Sequence, residues 1–367
     1  MSLCVIFLQG AAWCAAATFD ELWKKVEGYE QKDLPKSAYK VVEEIAAKAG
    51  RERHKGQQMA ALLYGCRLRQ RIVPDSFYTD MQRLERLKNQ TADGVHRAVL
   101  ASVLGELYAG NAWRTRNRSA RTDAHPDSIR EWSYAQFMKA AASNYALSMS
   151  APGELAAARA ADYMPFVSKG RDAFIFDGDL LNVVGRRAAE GLRTGEASET
   201  MSAAGVYGRM LVVYRARGNR EAELFVMLDS LDKASGHDGK VRPDLSDQFS
   251  PEEREHRVLR SEPYLTYRNM LSRFGDLPQA AEIYLRMLSL GVTPCLKVAW
   301  ATEGYAKYKA WPQAARLLDI AKELENPEIS VEFPGTLYSG MPFDCVVRRR
   351  HMEGAQWKWY LLPDKLS

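Results

Sequence analysis

The segment Pro278-Gln279-Ala280-Ala281 returns 34 residues later as Pro312-Gln313-Ala314-Ala315. An interval of this length is typical of a helix–turn–helix unit in solenoid proteins. Small alanines at a fixed place let two helices approach closely, while bulky residues fill the gaps between hairpins. The bulky neighbours repeat at the same interval: Tyr264, Leu271, Phe274, Leu277 and Tyr284 are followed by Val298, Tyr305, Tyr308, Trp311 and Leu318. The repeat predicts two successive, similarly oriented hairpins within residues 255–325.

Amphipathic helices are predicted on the N-terminal side of this repeat. Thr18 and Glu21 have the spacing of a capping box, and apolar residues at helical intervals follow them. Further helix starts are predicted at Asp75, Thr91 and Ser128. A looser repeat turn is predicted at Gly218-Asn219-Arg220-Glu221-Ala222. The predicted fold class is therefore mostly α, with antiparallel helical hairpins in a tetratricopeptide-like α-solenoid.

The period changes from helix to strand after Asn326-Pro327. Apolar residues alternate with polar ones in three short stretches, which predicts three strands: Ile329, Val331, Phe333; Phe343, Cys345, Val347; and Trp357, Trp359, Leu361. Three strands cannot close a sandwich, so the tail is predicted to be a short, incomplete β-sandwich segment. The predicted domains are a signal peptide (1–17), a helical bundle or solenoid (18–196), hairpin repeats (197–327) and the β segment (328–367).

The N-terminus has the pattern of a signal peptide. Leu3 to Leu8 is apolar, and Ala15-Ala16-Ala17 supplies a cleavage site before Thr18. No Lys or Arg precedes the apolar run, so a buried first helix is the alternative interpretation. No later stretch is long and apolar enough to span a membrane. The pattern predicts an exported protein, periplasmic or extracellular, with no transmembrane span in the mature chain.

Composition excludes several classes of protein. The 367 residues carry a net charge of +5, which permits contact with acidic surfaces without requiring it. Signal cleavage would leave three cysteines without close pairing, which excludes a disulfide scaffold and a structural zinc site. The six histidines are scattered and predicted to be solvated: His54, His96, His125, His237, His256 and His351. No nucleotide-binding or hydrolase motif is present, so we expect no cofactor, no metal and no enzymatic activity.

The acidic segment Asp172–Asp179 is the strongest candidate for chemistry. Asp172, Asp177 and Asp179 lie close to Gly170 and Gly178. Paired carboxylates of a hydrolase, or ligands of a metal-dependent enzyme, would fit this pattern, although the spacing is not that of an EF-hand. The competing interpretation is that these residues cap loops and helices, with Asp179 as the N-cap of the next helix.

Two arginine clusters support a different alternative, an intracellular RNA-binding helical repeat. The first comprises Arg114, Arg116, Arg118 and Arg121, and the second is Arg348-Arg349-Arg350. On a strand, Arg348 and Arg350 face one way and Arg349 the other. No aromatic residues interleave with the first cluster, as single-stranded nucleic-acid binders usually require. We therefore expect exposed loop and strand residues and no nucleic-acid partner.

Several motifs resemble the N-terminal helical region of large bacterial α2-macroglobulin-like proteins. They are Leu22-Trp23-Lys24 with Lys32 to Ala38; Arg130-Glu131-Trp132 with Phe137, Tyr145 and Ser148; Ala173 to Leu181 with Arg186-Arg187-Ala188; and Pro327 to Phe333 with Pro342 to Tyr360. The last of these resembles the first strands of a macroglobulin β-sandwich. The resemblance covers nearly the whole expected mature chain.

This resemblance implies membership of an endopeptidase-inhibitor family. Members that trap proteases use a Cys-x-Glu-Gln thioester and a bait segment, and neither Cys66, Cys295 nor Cys345 stands in such a motif. We therefore expect an exported interaction region without the trapping machinery. Either the gene is truncated, or a partner supplies the missing macroglobulin domains. The expected function is a non-enzymatic protein-interaction scaffold with a protein partner.

Overall fold

The structure, a computed structural model, describes residues 17–115, 128–165, 167, 168, 170, 172–194, 201–234, 249–326, 328–332 and 345–350. Within these residues it contains fifteen α-helices and one small antiparallel sheet, which confirms the predicted mostly α fold with a short β segment. The chain divides into two compact units, Met1–Met227 and Leu228–Ser367. This division falls later in the chain than the domain boundary predicted after residue 196.

The first unit begins with antiparallel helices that follow one another along the chain. They are α1 (Phe19–Gln31), α2 (Pro35–Arg51), α3 (Lys55–Ile72), α4 (Ser76–Gln90) and α5 (Gly94–Arg114). The predicted capping box is present, because Thr18 Oγ1 accepts from the Glu21 amide and Glu21 Oε2 accepts from the Thr18 amide. Leu22, Val26 and Ile45 are buried in the core that α1 and α2 share with α3.

The remaining helices of the first unit are α6 (Tyr134–Ser148), α7 (Pro152–Ala157), α8 (Leu180–Thr194) and α9 (Ala203–Ala216). Helices α5, α6 and α8 meet around the ring of Tyr145. A Cβ atom on Gly105 of α5 would lie 2.8 Å from this ring, and one on Gly191 of α8 would lie 2.1 Å from it. Glycine at these two positions therefore lets both helices approach the ring.

Two predicted helix starts are wrong. Thr91 is the C-cap of α4, and Asp93 begins α5 because its carboxylate accepts from the His96 amide. Ser128 precedes only a 3₁₀ turn at Ile129–Glu131. The helix proper begins after Ser133, which forms a capping box with Gln136. In each case a second capping residue a few positions later has the better hydrogen bonds.

The helix α10 (Arg220–Ala234) contains the division between the units, and the second unit continues with α11 (Pro251–Val258), α12 (Glu262–Phe274), α13 (Ala281–Met287), α14 (Pro294–Tyr308) and α15 (Ala315–Glu325). Each helix from α12 to α15 packs against the next one along the chain. The two matched segments therefore form successive hairpins, α12–α13 and α14–α15, as the repeat predicts.

The repeated motif has the same local structure in both copies. Pro278–Ala280 and Pro312–Ala314 each form a 3₁₀ turn that leads directly into the second helix of its hairpin. Ala280 and Ala314, the third residue of each motif, are completely buried. The looser turn near Gly218 differs, since Gly218 has a φ of +69° and Asn219 caps α10 through the Ala222 amide.

The β segment contains β1 (Glu328–Glu332) and β2 (Val346–Arg350), which pair antiparallel with Val331 opposite Val347. Arg348 and Arg350 stand opposite Ser330 and Glu328, and Arg349 stands opposite Ile329. This register agrees with the predicted alternation of the arginines. The predicted strand at 357–361 and the signal peptide before Ala17 lie outside the described residues. No helix in the described ranges has the length and apolar character of a membrane span.

Candidate functional site

A cavity of about 610 Å³ lies in the first unit, beside the N-terminus of α8. Residues of three parts of the chain line it: 159–161 with 164; 167, 168, 170, 172–174 and 176–179; and, in the first two turns of α8, Asn182, Val183 and Arg186. This location includes the acidic segment Asp172–Asp179, which the sequence singled out for chemistry. A volume of this size is typical of small-ligand sites, so the cavity is the leading candidate site of the first unit.

The acidic segment follows a tightly held path. Ala173–Phe176 forms a 3₁₀ turn, after which Asp177 and Gly178 both have positive φ angles, 53° and 66°. The amide of Ala160 donates to the Gly178 carbonyl over 2.8 Å, and the amide of Leu180 donates to the Ala158 carbonyl over 3.0 Å. These bonds fix the direction in which the chain enters α8.

Asp179 is the best-defined carboxylate at the cavity. Its Oδ1 atom accepts from the Asn182 amide at 3.0 Å, which confirms the predicted N-cap of α8, and from the Tyr214 hydroxyl at 3.1 Å. Its Oδ2 atom accepts no hydrogen bond from a described residue. Arg217 Nη1 lies 3.9 Å from it, which is too far for a hydrogen bond. Asp179 is only 4% exposed, and this burial raises its pKa from 3.8 to about 6.

The other two carboxylates have different surroundings. Asp172 and Asp177 are exposed. The Nδ2 atom of Asn219 donates to Asp177 Oδ2 over 3.0 Å and to the Ile175 carbonyl over 2.9 Å, which ties the loop to the start of α10. The three aspartates therefore share one cavity wall while only Asp179 is desolvated.

Apolar and cationic side chains complete the cavity. Met164 and Phe174 are large apolar side chains that remain 43% and 59% exposed. Arg159 Nη2 lies 2.6 Å from Asp162 Oδ1. The guanidinium of Arg186 lies 5.1 Å from the centre of the Phe176 ring, a cation–π contact. Sequence reasoning did not associate these residues with the acidic segment, because only the fold brings residues 159–164 beside 172–186.

A second cavity, of about 440 Å³, brings two histidines together. His54 and His96 were predicted to be solvated, but both are partly buried. His54 Nδ1 caps α3 by accepting from the Gln57 amide, and burial lowers the pKa of His96. Lys55 Nζ and Asp93 Oδ2 form an ion pair of 2.8 Å at the same cavity. His256 is exposed as predicted, whereas His125, His237 and His351 lie outside the described residues.

Metal-ligating side chains do not converge in the described part of the chain. No group of three or more His, Cys, Asp or Glu residues there has the arrangement of a metal site. The three described cysteines are free thiols, with Cys66 buried and Cys295 and Cys345 exposed. Of the first arginine cluster, only Arg114 is described. Arg348 forms an ion pair with Glu332 on the neighbouring strand.

The second unit has an exposed helical surface on its matched hairpins. Leu265 of α12 is 49% exposed, and its repeat equivalent 34 residues later, Ala299 of α14, is exposed as well. Between these helices, the rings of Tyr264 and Trp300 stack with centroids 5.7 Å apart and planes inclined by 17°. We define the repeat surface as the exposed side of α12 and α14 that contains Leu265 and Ala299.

Comparisons with known proteins give no match for this chain. No protein-family model matches it, and neither a curated protein nor a solved structure shows significant similarity to it. The resemblance to macroglobulin-like proteins therefore stays a prediction from the motifs.

Proposed function

We propose that this protein is an exported, non-enzymatic helical-repeat scaffold that binds a partner polypeptide. The observation that carries the proposal is the pair of matched hairpins in the second unit, with the same 3₁₀ turn and buried alanine at both motifs. Stacked hairpins of this kind present extended surfaces that suit polypeptide ligands. The exposed Leu265 provides an apolar anchor on the repeat surface.

The geometry at Thr18 supports the export part of the proposal. The Thr18 amide donates to Glu21 Oε2 over 2.8 Å, and this contact lowers the pKa of the Glu21 carboxyl. Cleavage before Thr18 would turn this amide into a charged amino group, which would still donate to Glu21. The first helix would therefore keep its cap after processing.

The macroglobulin resemblance suggests the class of partner. A macroglobulin-type β domain on another polypeptide would pair additional strands with the short β segment. In the described residues, β1 and β2 pair only with each other, and unpaired strand edges accept additional strands. Under this proposal, the protein is related by descent to the endopeptidase-inhibitor family, although none of Cys66, Cys295 and Cys345 stands in a thioester motif.

The test of the proposal is complex formation by the processed protein. We expect the chain recovered from the periplasm or medium to begin at Thr18 and to co-elute with a defined polypeptide in size-exclusion chromatography. The change Leu265→Glu should weaken this complex because it places a charge at the apolar anchor, whereas Lys322→Glu on α15 should not. A chain that begins at Met1 and elutes alone would contradict the proposal.

An enzyme is the second candidate, and the desolvated Asp179 is the observation in its favour. A buried carboxyl with a pKa of about 6 beside a cavity has the properties of a general base. If the protein is an enzyme, Asp179→Asn should abolish hydrolysis of any substrate found. If it is a scaffold, the change should cause no specific loss of catalytic activity. The RNA-binding alternative predicts steeply salt-dependent RNA affinity and an uncleaved N-terminus, and the pairing of Arg348 with Glu332 weakens it.

A further inference from the structure

The repeat surface carries cationic side chains at equivalent positions of the two hairpins. Arg273 of α12 and Lys307 of α14 lie 34 residues apart, and both are exposed. The Arg273 guanidinium lies 5.1 Å from the centre of the Phe274 ring, and the Lys307 ammonium lies 5.3 Å from the centre of the Tyr308 ring. The repeat therefore places one cation on each hairpin, beside the aromatic residue that ends the helix.

A third cation lies next to the apolar anchor. Arg268 is exposed three residues after Leu265, so the two side chains lie on the same side of α12. Neither Arg268 nor Lys307 forms an ion pair with a described residue. The charges of these two side chains are therefore available to a ligand.

Helices α12 and α14 together have a positive surplus, and the structure describes every residue of both. They contain four cationic and two acidic side chains: Arg268, Arg273, Lys297 and Lys307 against Glu262 and Glu303. Asp276 and Lys309, which follow the two helices, cancel each other in this count. Helix α15, in contrast, has two cationic and three acidic side chains: Arg316 and Lys322 against Asp319, Glu323 and Glu325. The positive surplus thus belongs to the first helix of each hairpin, where it attracts anionic groups.

Small and polar side chains make up the rest of the repeat surface. Ser272 and its repeat equivalent Ala306 are exposed, as is Ala299. Asn269 and Thr302 are exposed and form no hydrogen bond with a described residue, so their amide and hydroxyl groups are available to a peptide backbone. An extended chain can therefore come close to both helices.

Nucleic acid is the other anionic polymer that a basic surface attracts, and this surface suits it less well. Every aromatic residue of α12 and α14 is buried or half-buried, and the rings of Tyr264 and Trp300 stack on each other. Neither helix offers an exposed ring on which a base could stack. The carboxylate of Glu303, which accepts from the Tyr284 hydroxyl over 2.7 Å, would also repel a phosphate backbone. An acidic polypeptide fits better, because it can add an apolar residue for the exposed Leu265.

We propose that the repeat surface binds an extended acidic segment of the partner polypeptide. One apolar residue of this segment packs on Leu265, and its Asp or Glu side chains pair with Arg268, Arg273 and Lys307. The identity of the segment as part of the natural partner rests on the proposed scaffold function, whereas the preference of the surface for acidic peptides does not.

The direct test is a fluorescence-anisotropy titration of labelled dodecapeptides with the full chain. Three peptides share a central leucine in a Gly/Ser background and differ only at four positions, which are all Glu, all Gln or all Lys. We expect the Glu peptide to bind about three- to tenfold more tightly than the Gln peptide, the Lys peptide to bind most weakly, and added salt to reduce the difference. Equal binding of the Glu and Gln peptides, or no binding of the Glu peptide, would overturn the inference.

Charge reversal locates the site within the chain. The double change Arg268→Glu with Lys307→Glu should weaken binding of the Glu peptide and make the Lys peptide the tightest of the three, a gain that unfolding cannot produce. The matched control, Arg316→Glu with Lys322→Glu, makes the same change in net charge at exposed positions of α15 and should leave the order of the peptides unchanged. If both double variants had the same effect, the peptides would respond to net charge alone, and the assigned site would be wrong.

A uridine dodecanucleotide separates an acidic peptide from RNA. We expect it to bind more weakly than the Glu peptide, and tighter binding that the Arg268→Glu, Lys307→Glu variant loses would assign the surface to nucleic acid and overturn the inference. If the Glu and Gln peptides bind equally but the complex sensitive to Leu265→Glu still forms, the acidic preference fails and the scaffold proposal stands. If the Glu peptide binds as expected but the processed protein elutes alone, the preference stands and the scaffold proposal fails.

Discussion

The hydroxyl group of Tyr308 donates a hydrogen bond to the carbonyl oxygen of Gly275 over 3.0 Å. Tyr308 ends the first helix of the second hairpin, and Gly275 lies in the turn of the first hairpin. A second bond joins the same hairpins, since Trp311 Nε1 donates to Glu282 Oε1 over 3.1 Å. Tyr308 at the end of α14 and Trp311 just after it therefore contact the turn and the second helix of the preceding hairpin.

Removal of the Tyr308 hydroxyl tests the hydrogen bond between the two hairpins. Tyr308→Phe leaves the ring in its buried place and deletes the donor, so we expect a loss of about 0.5–1.5 kcal/mol in the free energy of unfolding. Urea denaturation followed by circular dichroism measures it. Tyr305→Phe, a half-buried tyrosine on the same helix, is the control. Equal effects of the two changes would show that the bond to Gly275 contributes nothing particular.

Close helix contact at Gly304 gives a second prediction. A Cβ atom there would lie 2.8 Å from Tyr284 Cγ and 3.0 Å from Leu317 Cδ1. Gly304→Ala should therefore destabilise the protein by about 1–3 kcal/mol, because overpacking outweighs the gain in helix propensity. Gly208→Ala on α9 has no atom within 4 Å of the new Cβ and should stabilise by about 0.5–1 kcal/mol. Thermal unfolding of both variants measures these changes. A Gly304→Ala variant as stable as the wild type would refute the close contact at Gly304.

Local sequence signals predicted much of this fold. The repeated Pro-Gln-Ala-Ala motif located both hairpin turns, and the capping box at Thr18 located the start of α1. The prediction was wrong at Thr91, since hydroxyl and carboxylate caps lie two residues apart there and the tertiary fold selects Asp93. It was also incomplete at Ala315, which is exposed although its repeat equivalent Ala281 is completely buried. Burial depends on which helices pack outside a hairpin, and the repeat alone does not contain this information.

The candidate site was predictable only in part. The capping role of Asp179 follows from its position before an apolar helical pattern, and the structure confirms it. Its burial depends on Tyr214 and Arg217, which lie more than thirty residues away in sequence. The approach of His54 and His96 at one cavity has the same origin. Contacts over such separations leave no periodic signal in a single sequence.

A buried polar network in the first unit supports a third prediction. Lys88 is 7% exposed, and its Nζ atom lies 2.5 Å from Glu85 Oε2 and 2.9 Å from Asn144 Oδ1. Lys88→Met should cost about 1–3 kcal/mol, because Glu85 and Asn144 lose a shared donor. The exposed Lys139 on α6 is the matched control, and Lys139→Met should change stability by less than about 0.5 kcal/mol. Chemical denaturation measures the free energy of unfolding of both variants. If Lys88→Met lowered it no more than Lys139→Met does, the network would not contribute to stability.

The raised pKa of Asp179 gives a pH-dependent prediction. Between pH 4 and pH 6 the folded state binds a proton that the unfolded state has released, since the pKa is about 6 when folded and 3.8 otherwise. The contribution of Asp179 to stability is therefore favourable below this window and decreases as the pH rises through it.

Asp179→Asn should remove this dependence. We expect the variant to be more stable than the wild type at pH 7, by roughly 1–3 kcal/mol, because it no longer buries a charge. The difference should vanish near pH 4. Urea unfolding at several pH values measures both curves, and parallel curves for the two proteins would show that Asp179 titrates at its ordinary pKa.

The measurement that tests the scaffold most directly is photo-crosslinking from the repeat surface in the producing cells. A photoreactive residue is placed at Leu265, at Ala299 or, as a control, at the exposed Lys322 on α15. If the stacked hairpins hold one partner, Leu265 and Ala299 should crosslink to the same polypeptide, and Lys322 should not. Crosslinks to different proteins from the two repeat positions, or equal yields from all three, would contradict a scaffold that binds its partner along the repeats.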